Sequence, residues 1–183
     1  VILLWNFNPF LGTAQFYYQT GQLGLGPKFI GLLSTLGGLA GVLGAACYGR
    51  LEGTVWSVHA IARAAVWLGA PLSMLYLFYQ GPASAVLLTI LFGVTGVFFR
   101  LSLMDLAARS TPVFAEATAF AAFMAVFNVS AYASNTAGGK LYDLLSASWG
   151  AYGAAAGLML TGTVCTIVCW WVLPSAFPDR KDA

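Results

Sequence analysis

The chain has 183 residues, of which 60% are apolar and 8% are Asp, Glu, Lys or Arg, whereas soluble domains average about 25% charged residues. A soluble enzyme core, a disordered tail and a basic nucleic-acid reader all require polar surface that this composition does not provide. The net charge of +2 is too small to indicate an anionic polymer as a partner. The long apolar stretches predict an all-α, polytopic bundle of membrane-spanning helices.

Turn signals rich in Gly and Pro divide the chain into six predicted spans, each near the 20 or so residues that cross a bilayer. These spans cover residues 1–22, 28–49, 57–79, 83–108, 113–137 and 148–173. The fifth is expected to break at Gly138-Gly139 and to continue as a short amphipathic tail through Leu145. Residues 1–174 are therefore predicted to form one six-helix unit, followed by a polar cytoplasmic tail over 175–183.

Lys and Arg near the span ends predict the orientation of the chain in the membrane. Successive loops between spans lie on alternate sides of the membrane. On this basis five cations fall on one side, namely Arg50, Arg63, Arg109, Arg180 and Lys181. The opposite side receives Lys28 and Lys140. The side with five cations is expected to be cytoplasmic, together with both chain ends. Because the chain starts in an apolar run without an initiator Met, we expect it to be a fragment of a longer membrane protein.

Polar side chains inside the predicted spans form two stripes. The first span carries four amide side chains at spacings of 7, 4 and 3 residues, and Tyr18 is adjacent to them. These amides are Asn8, Gln15, Gln19 and Gln22. The fifth carries, at spacings of 4 and 3, the residues Asn128, Tyr132 and Asn135. One stripe alone is explained equally well by hydrogen bonds between helices and by the lining of a polar cavity. Two stripes together favour a cavity.

The fourth predicted span carries charged residues. Arg100 lies about 12 Å inside the end of this span. There it either snorkels or forms a structural ion pair, or it acts in function by binding an anionic group of a ligand or by countering a proton-carrying carboxylate. Asp105 and Arg109 are four residues apart and can pair on one helix face. Glu116 can join them across the following loop. The three residues form either a solvated charge cluster or a gate whose ion pair breaks in one conformation.

The third and sixth predicted spans contain few polar residues, so we expect them to face lipid or to lie at the periphery. Their hydroxyls can bond back to their own helix, as for Ser73, Thr161, Thr163 and Thr166. The cysteines lie in apolar segments and predict core packing, with no metal site and no disulfide, at Cys47, Cys165 and Cys169. The sequence shows no catalytic constellation and no cofactor motif, so we do not expect an enzyme.

Two stretches resemble the folate–biopterin transporter family of the major facilitator superfamily. The first runs over residues 8–31, with Asn8-Pro9-Phe10, a Phe16-Tyr17 pair and the link Leu23-Gly24-Leu25-Gly26-Pro27-Lys28-Phe29-Ile30-Gly31, and is similar to the family's seventh and eighth helices. The second, Asp105-Leu106-Ala107-Ala108-Arg109-Ser110-Thr111-Pro112 followed by Glu116-Ala117-Thr118-Ala119-Phe120-Ala121, is similar to its tenth-to-eleventh junction. Six spans, of which the third and sixth carry few polar residues, also resemble half of a major facilitator fold.

This resemblance implies the C-terminal half of a secondary transporter that takes up folates or pterins, coupled to protons, by alternating access. The implied partners are the solute, the lipid bilayer and a missing N-terminal six-helix half, with no nucleic acid and no cofactor. The implied location is the plasma membrane, or a plastid membrane in a photosynthetic eukaryote. Two alternatives stay open: a facilitator for another solute, such as a sugar or drug, and a membrane scaffold that transports nothing.

If the polar stripes line a cavity, eight residues are predicted to contact the substrate: Asn8, Gln15, Tyr18, Gln19, Arg100, Asn128, Tyr132 and Asn135. Aromatic rings would stack on a fused-ring solute, amides would bond to it, and Arg100 would meet carboxylate charge. Gating or proton coupling is assigned to Asp105, Arg109 and Glu116.

Overall fold

The computed structural model describes residues 2–51, 57–109, 111 and 115–176. Helices dominate these ranges, and no strand occurs within them. In this part of the chain, four helical stretches are long and apolar enough to cross a membrane: Pro27–Leu51, Ala60–Phe78, Pro82–Arg109 and Ala117–Val172. The helical, membrane-type fold class is therefore confirmed, whereas the prediction of six separate spans is not.

The first predicted span is not one helix. It consists of α1 (Ile2–Asn6), an irregular stretch, α2 (Thr13–Tyr17) and a π-helical turn (Tyr18–Gln22). Pro9 cannot continue an α-helix because it lacks the N–H group, and Gly12 adopts φ 93° and ψ −114°, a conformation that favours glycine. The prediction of a single helical face through Asn8 and the glutamines is therefore wrong.

The middle of the chain follows the prediction closely. Helix α3 (Pro27–Leu51) and helix α5 (Pro82–Arg109) both begin at a proline, which suits the first turn because its missing N–H would have no helical partner there. Between them, α4 (Val58–Met74) continues as a 3₁₀ turn over Leu75–Phe78. The Ser57 side chain caps α4 by accepting a hydrogen bond from the Ala60 N–H.

The predicted break at Gly138-Gly139 is wrong, because α6 (Glu116–Ala176) continues through it and is interrupted at Gly150 instead, with φ 70° and ψ 168°. A Cβ on Gly138 would overlap the Pro9 carbonyl group, so glycine is needed here for close packing. A Cβ on Gly157 would lie 4.0 Å from Leu145, although twelve residues of straight helix span about 18 Å. The chain therefore reverses at Gly150 into two antiparallel segments, α6a (116–149) and α6b (151–176).

Glycines form the contact between α3 and α5, which we call the glycine seam: Gly37, Gly41, Gly44 and Gly93. A Cβ on Gly93 would lie 2.7 Å from both the Gly37 carbonyl oxygen and the Ala40 Cβ. Contacts advance along both helices in the same direction, from Gly37 with Thr89 to Gly41 with Val97, so the two helices are parallel. Small residues at such a contact let two backbones approach closely where no hydrophobic force between helices exists.

Contacts between helices identify the two ends of the bundle. At one end Tyr48 bonds to Asp105, and further into the bundle the Trp170 indole donates to the Val66 carbonyl in the middle of α4. At the other end Gln19 bonds to Tyr79, and Tyr152 donates to the Leu77 carbonyl. The first end also carries the helix termini at Arg50 and Arg109, whereas Lys28 and Lys140 lie towards the second. For these four cations, the fold matches the side assignment predicted from the sequence.

Candidate functional site

A cavity of about 410 Å³ lies between the first segment, α4, α5 and both parts of α6. We call it the central cavity. Its polar lining consists of Asn6, Asn8, Ser73, Thr95, Arg100 and Thr166. Its aromatic lining consists of Trp5, Tyr76, Phe92, Phe99 and Phe127. The site therefore combines one permanent positive charge with amides, hydroxyls and ring faces.

Asn8 reaches the central cavity because the first segment unwinds around it. Its side-chain Oδ1 accepts a hydrogen bond from the Phe10 N–H at 3.2 Å, so the amide replaces a helical partner that the break removes. A Cβ on Gly162 of α6b would lie 2.8 Å from the Asn8 Cγ, which shows how closely the two segments approach. Irregular backbone at membrane depth is tolerated where protein surrounds it or where it lines a cavity.

Arg100 lines the same cavity from α5. Its guanidinium carbon lies 4.1 Å from the centre of the Phe127 ring, in a cation–π contact across to α6a. Among the described residues, Arg100 forms no ion pair. About 14 Å of helix separates it from Arg109 at the end of α5. The structure thus brings together two of the eight sequence-predicted contact residues, Asn8 and Arg100.

Three other predicted residues of the first segment lie elsewhere. Tyr18 is fully buried and packs edge-on against Phe10 in the hydrophobic core. Gln19 is buried and its amide donates to the Tyr79 hydroxyl, so it ties the π-helical turn to the end of the α4 segment. Gln15 is half-buried on α2. Their assignment to substrate binding stays a prediction.

The predicted stripe on α6a does not line the central cavity. Asn128, Tyr132 and Asn135 are all exposed, and Tyr132 keeps 75% of its surface accessible. The Asn135 carboxamide oxygen lies directly against Gly12, where any larger residue would clash with it. The stripe therefore presents a polar and aromatic face on the surface of this chain, and its contact with substrate stays a prediction.

The charged end of α5 forms the ion pair expected from its spacing. The Arg109 Nε lies 3.0 Å from Asp105 Oδ1, and the Tyr48 hydroxyl donates to Asp105 Oδ2 at 2.7 Å. Tyr48 lies on α3, so the carboxylate also links the two helices of the glycine seam. Sequence reasoning missed this residue, because no spacing rule relates positions 57 apart. The Glu116 side chain lies outside the described part of the chain, so its predicted role is a proposal only.

The third and sixth predicted spans were expected to face lipid or to lie at the periphery, but both also line the central cavity. α4 contributes Gly69, Leu72 and Ser73 to its lining, the 3₁₀ turn after α4 contributes Tyr76, and α6b contributes Thr166. The Ser73 hydroxyl donates to the Ala70 carbonyl and lies 2.9 Å from the Thr163 hydroxyl. The hydroxyls do bond back to their own helices, as predicted, but they also hold α4 and α6b together beside the cavity.

The fold and the site define a polytopic helical membrane protein with a polar and aromatic cavity between its helices. The chain is 27% identical over 194 aligned residues to the folate-biopterin transporter of Synechocystis sp.. That alignment covers 99% of this chain and 39% of the transporter, so the chain spans well under half of the relative's length. The resemblance found in the sequence is confirmed by this similarity. No protein-family model matches the chain, and no solved structure matches it.

Proposed function

We propose that this chain is the C-terminal six-helix half of a facilitator-type secondary transporter that carries folates or related pterins. The transporter works by alternating access and is coupled to protons. The similarity to a folate-biopterin transporter along almost the whole chain supports the solute class. A second six-helix half, upstream of this sequence, completes the pathway.

The observation that carries the proposal is the central cavity with Arg100 and Asn8 on its wall. Its volume of about 410 Å³ falls in the range of small-molecule sites. A fused aromatic ring stacks on rings of the lining other than Phe127, which contacts Arg100, and an amide such as Asn8 bonds to its edge. A carboxylate of the same solute pairs with the guanidinium in a charge-assisted hydrogen bond.

The surface fits a lipid environment. Large apolar side chains on α3 point outward, including Leu39, Val42 and Leu43, each at least 60% exposed. We propose an integral membrane protein of the plasma membrane, or of a plastid membrane in a photosynthetic eukaryote. The cation distribution favours a cytoplasmic C-terminus.

The remaining predicted residues take roles that depend on the second half. The exposed stripe of Asn128, Tyr132 and Asn135 lines the pathway opposite that half, and a polar stripe of this kind would be costly against lipid. The Asp105–Arg109 pair, joined by Glu116, closes the cytoplasmic side in one conformation and opens in the other. Because Tyr48 holds the same carboxylate, such an opening leaves Asp105 with one hydrogen-bond partner.

The test is uptake of radiolabelled folate by cells that express the whole protein containing this sequence. Arg100→Ala removes the charge from the cavity and is expected to abolish folate uptake while membrane expression is retained. Lys28→Ala is the matched control, because it removes an exposed cation at the far end of the bundle. Unchanged uptake by Arg100→Ala would refute the assignment of the site.

A further inference from the structure

The guanidinium of Arg100 is placed by an aromatic ring. The ring centre of Phe127 lies 4.1 Å from the guanidinium carbon, close enough for attraction between the cation and the negative face of the ring. No carboxylate of the described residues pairs with Arg100. The arginine side chain has many rotamers, so a contact at its head group restricts where that head group points.

The position of Phe127 is itself fixed by the first segment. The Asn6 side-chain amide donates to the Phe127 carbonyl oxygen at 2.9 Å. One turn further along α6a, the Ser130 hydroxyl donates to the Leu3 carbonyl oxygen at 2.7 Å. Two bonds within one helical turn hold α1 against α6a. Phe127 therefore comes to Arg100 from an element that is anchored independently of α5.

The Phe127 ring offers no oxygen or nitrogen acceptor, so its contact leaves the guanidinium N–H groups of Arg100 available. Those N–H groups bind a carboxylate with two parallel hydrogen bonds in the plane of the guanidinium. Phe127 thus limits the rotamers of Arg100 and holds its guanidinium at the central cavity, which both side chains line.

We propose that Phe127 is a positioning residue that makes the cavity selective for solutes bearing a carboxylate. This inference rests on the proposed function and deepens it. Folate carries carboxylates on its glutamate tail, whereas biopterin has the same ring system with a neutral side chain. Loss of Phe127 should therefore weaken the handling of folate and leave that of biopterin nearly unchanged.

The test compares Phe127→Leu, which keeps apolar bulk but removes the ring, with Phe127→Tyr, which keeps the ring. The readout is the concentration that gives half-maximal uptake of radiolabelled folate and, separately, of biopterin, in cells expressing the whole protein. For Phe127→Leu we expect this concentration to rise about 2- to 30-fold for folate, with less than about a twofold change for biopterin. Phe127→Tyr should restore folate handling. Phe78→Leu is the matched control, because Phe78 is exposed and lies outside the cavity.

Three results would overturn the inference, and each is distinct. Equal losses for folate and biopterin in Phe127→Leu would show a structural role only. Folate uptake that is lost in Arg100→Ala but is the same in Phe127→Leu and Phe78→Leu would overturn the positioning role and leave the proposed function standing. Absence of uptake of both solutes by the unaltered protein, with verified membrane expression, would overturn the proposed function and this inference with it.

Discussion

The close packing at the glycine seam between α3 and α5 predicts that adding a side chain there lowers the free energy of unfolding. A Cβ on Gly44 would overlap the Val94 carbonyl oxygen and would lie 3.0 Å from its carbonyl carbon and 3.1 Å from its Cα. These are backbone atoms, which cannot rotate away as a flexible side chain can. Gly44→Ala therefore forces the two helices apart by roughly 1 Å at this point, and overpacking of this kind costs about 1–3 kcal/mol.

Gly38→Ala is the matched control on the same helix. A Cβ there meets nothing within 4 Å, and the position is exposed. Replacing a helical glycine by alanine in open space is expected to raise stability by up to about 1 kcal/mol, because alanine loses less backbone entropy on folding.

The assay is thermal unfolding of the purified protein in detergent, followed by the loss of the monodisperse peak in size-exclusion chromatography. The expected cost corresponds to a fall of about 2–12 °C in midpoint temperature for Gly44→Ala. Gly38→Ala should unfold at or above the wild-type midpoint. Equal midpoints for Gly44→Ala and wild type, or an equal fall in both variants, would refute the account of the seam.

Three further predictions concern the ends of the bundle and the reversal in α6. Tyr48→Phe should lower stability by about 1 kcal/mol in the same unfolding assay by removing the hydrogen bond to Asp105, and a similar loss in an Asp105→Ala background would contradict that cause. Gly150→Ala should cost about 1–3 kcal/mol, since φ 70° with ψ 168° is open essentially to glycine alone; an unchanged midpoint would argue against the reversal. The orientation can be tested with single cysteines in a background without the native cysteines. Gly81→Cys should react with an impermeant maleimide in intact cells, whereas Gly49→Cys should react only after permeabilisation. The opposite pattern would show that the chain has the inverse orientation.

Much of the fold can be predicted from local sequence patterns. Pro27 and Pro82 mark helix starts because a proline fits the first turn, and both helices begin there. The pair of Asp105 and Arg109 follows from a spacing of four residues on one helix. These features depend on neighbours in the chain, which a single sequence displays.

The predictions that failed concern features that depend on contacts between residues far apart in the sequence. Gly138 and Gly139 suggest a break, but Pro9 of the first segment packs against Gly138 and the helix continues. The reversal falls at Gly150, two residues after the predicted start of the sixth span at 148.

The central cavity was foreseen only in part for the same reason. Arg100 and Asn8 attract attention as polar residues in apolar spans, whereas Phe127 looks like any other apolar residue until α6a is placed over α5. Ser73 and Thr166 have ordinary backbone partners, which gave no sign that they line a cavity.

The measurement that tests the central claim most directly is uptake of radiolabelled folate and biopterin by cells expressing the whole protein, with and without a proton uncoupler. For a proton-coupled carrier of these solutes we expect saturable uptake that the uncoupler stops. Verified expression in the membrane without uptake of either solute would contradict it.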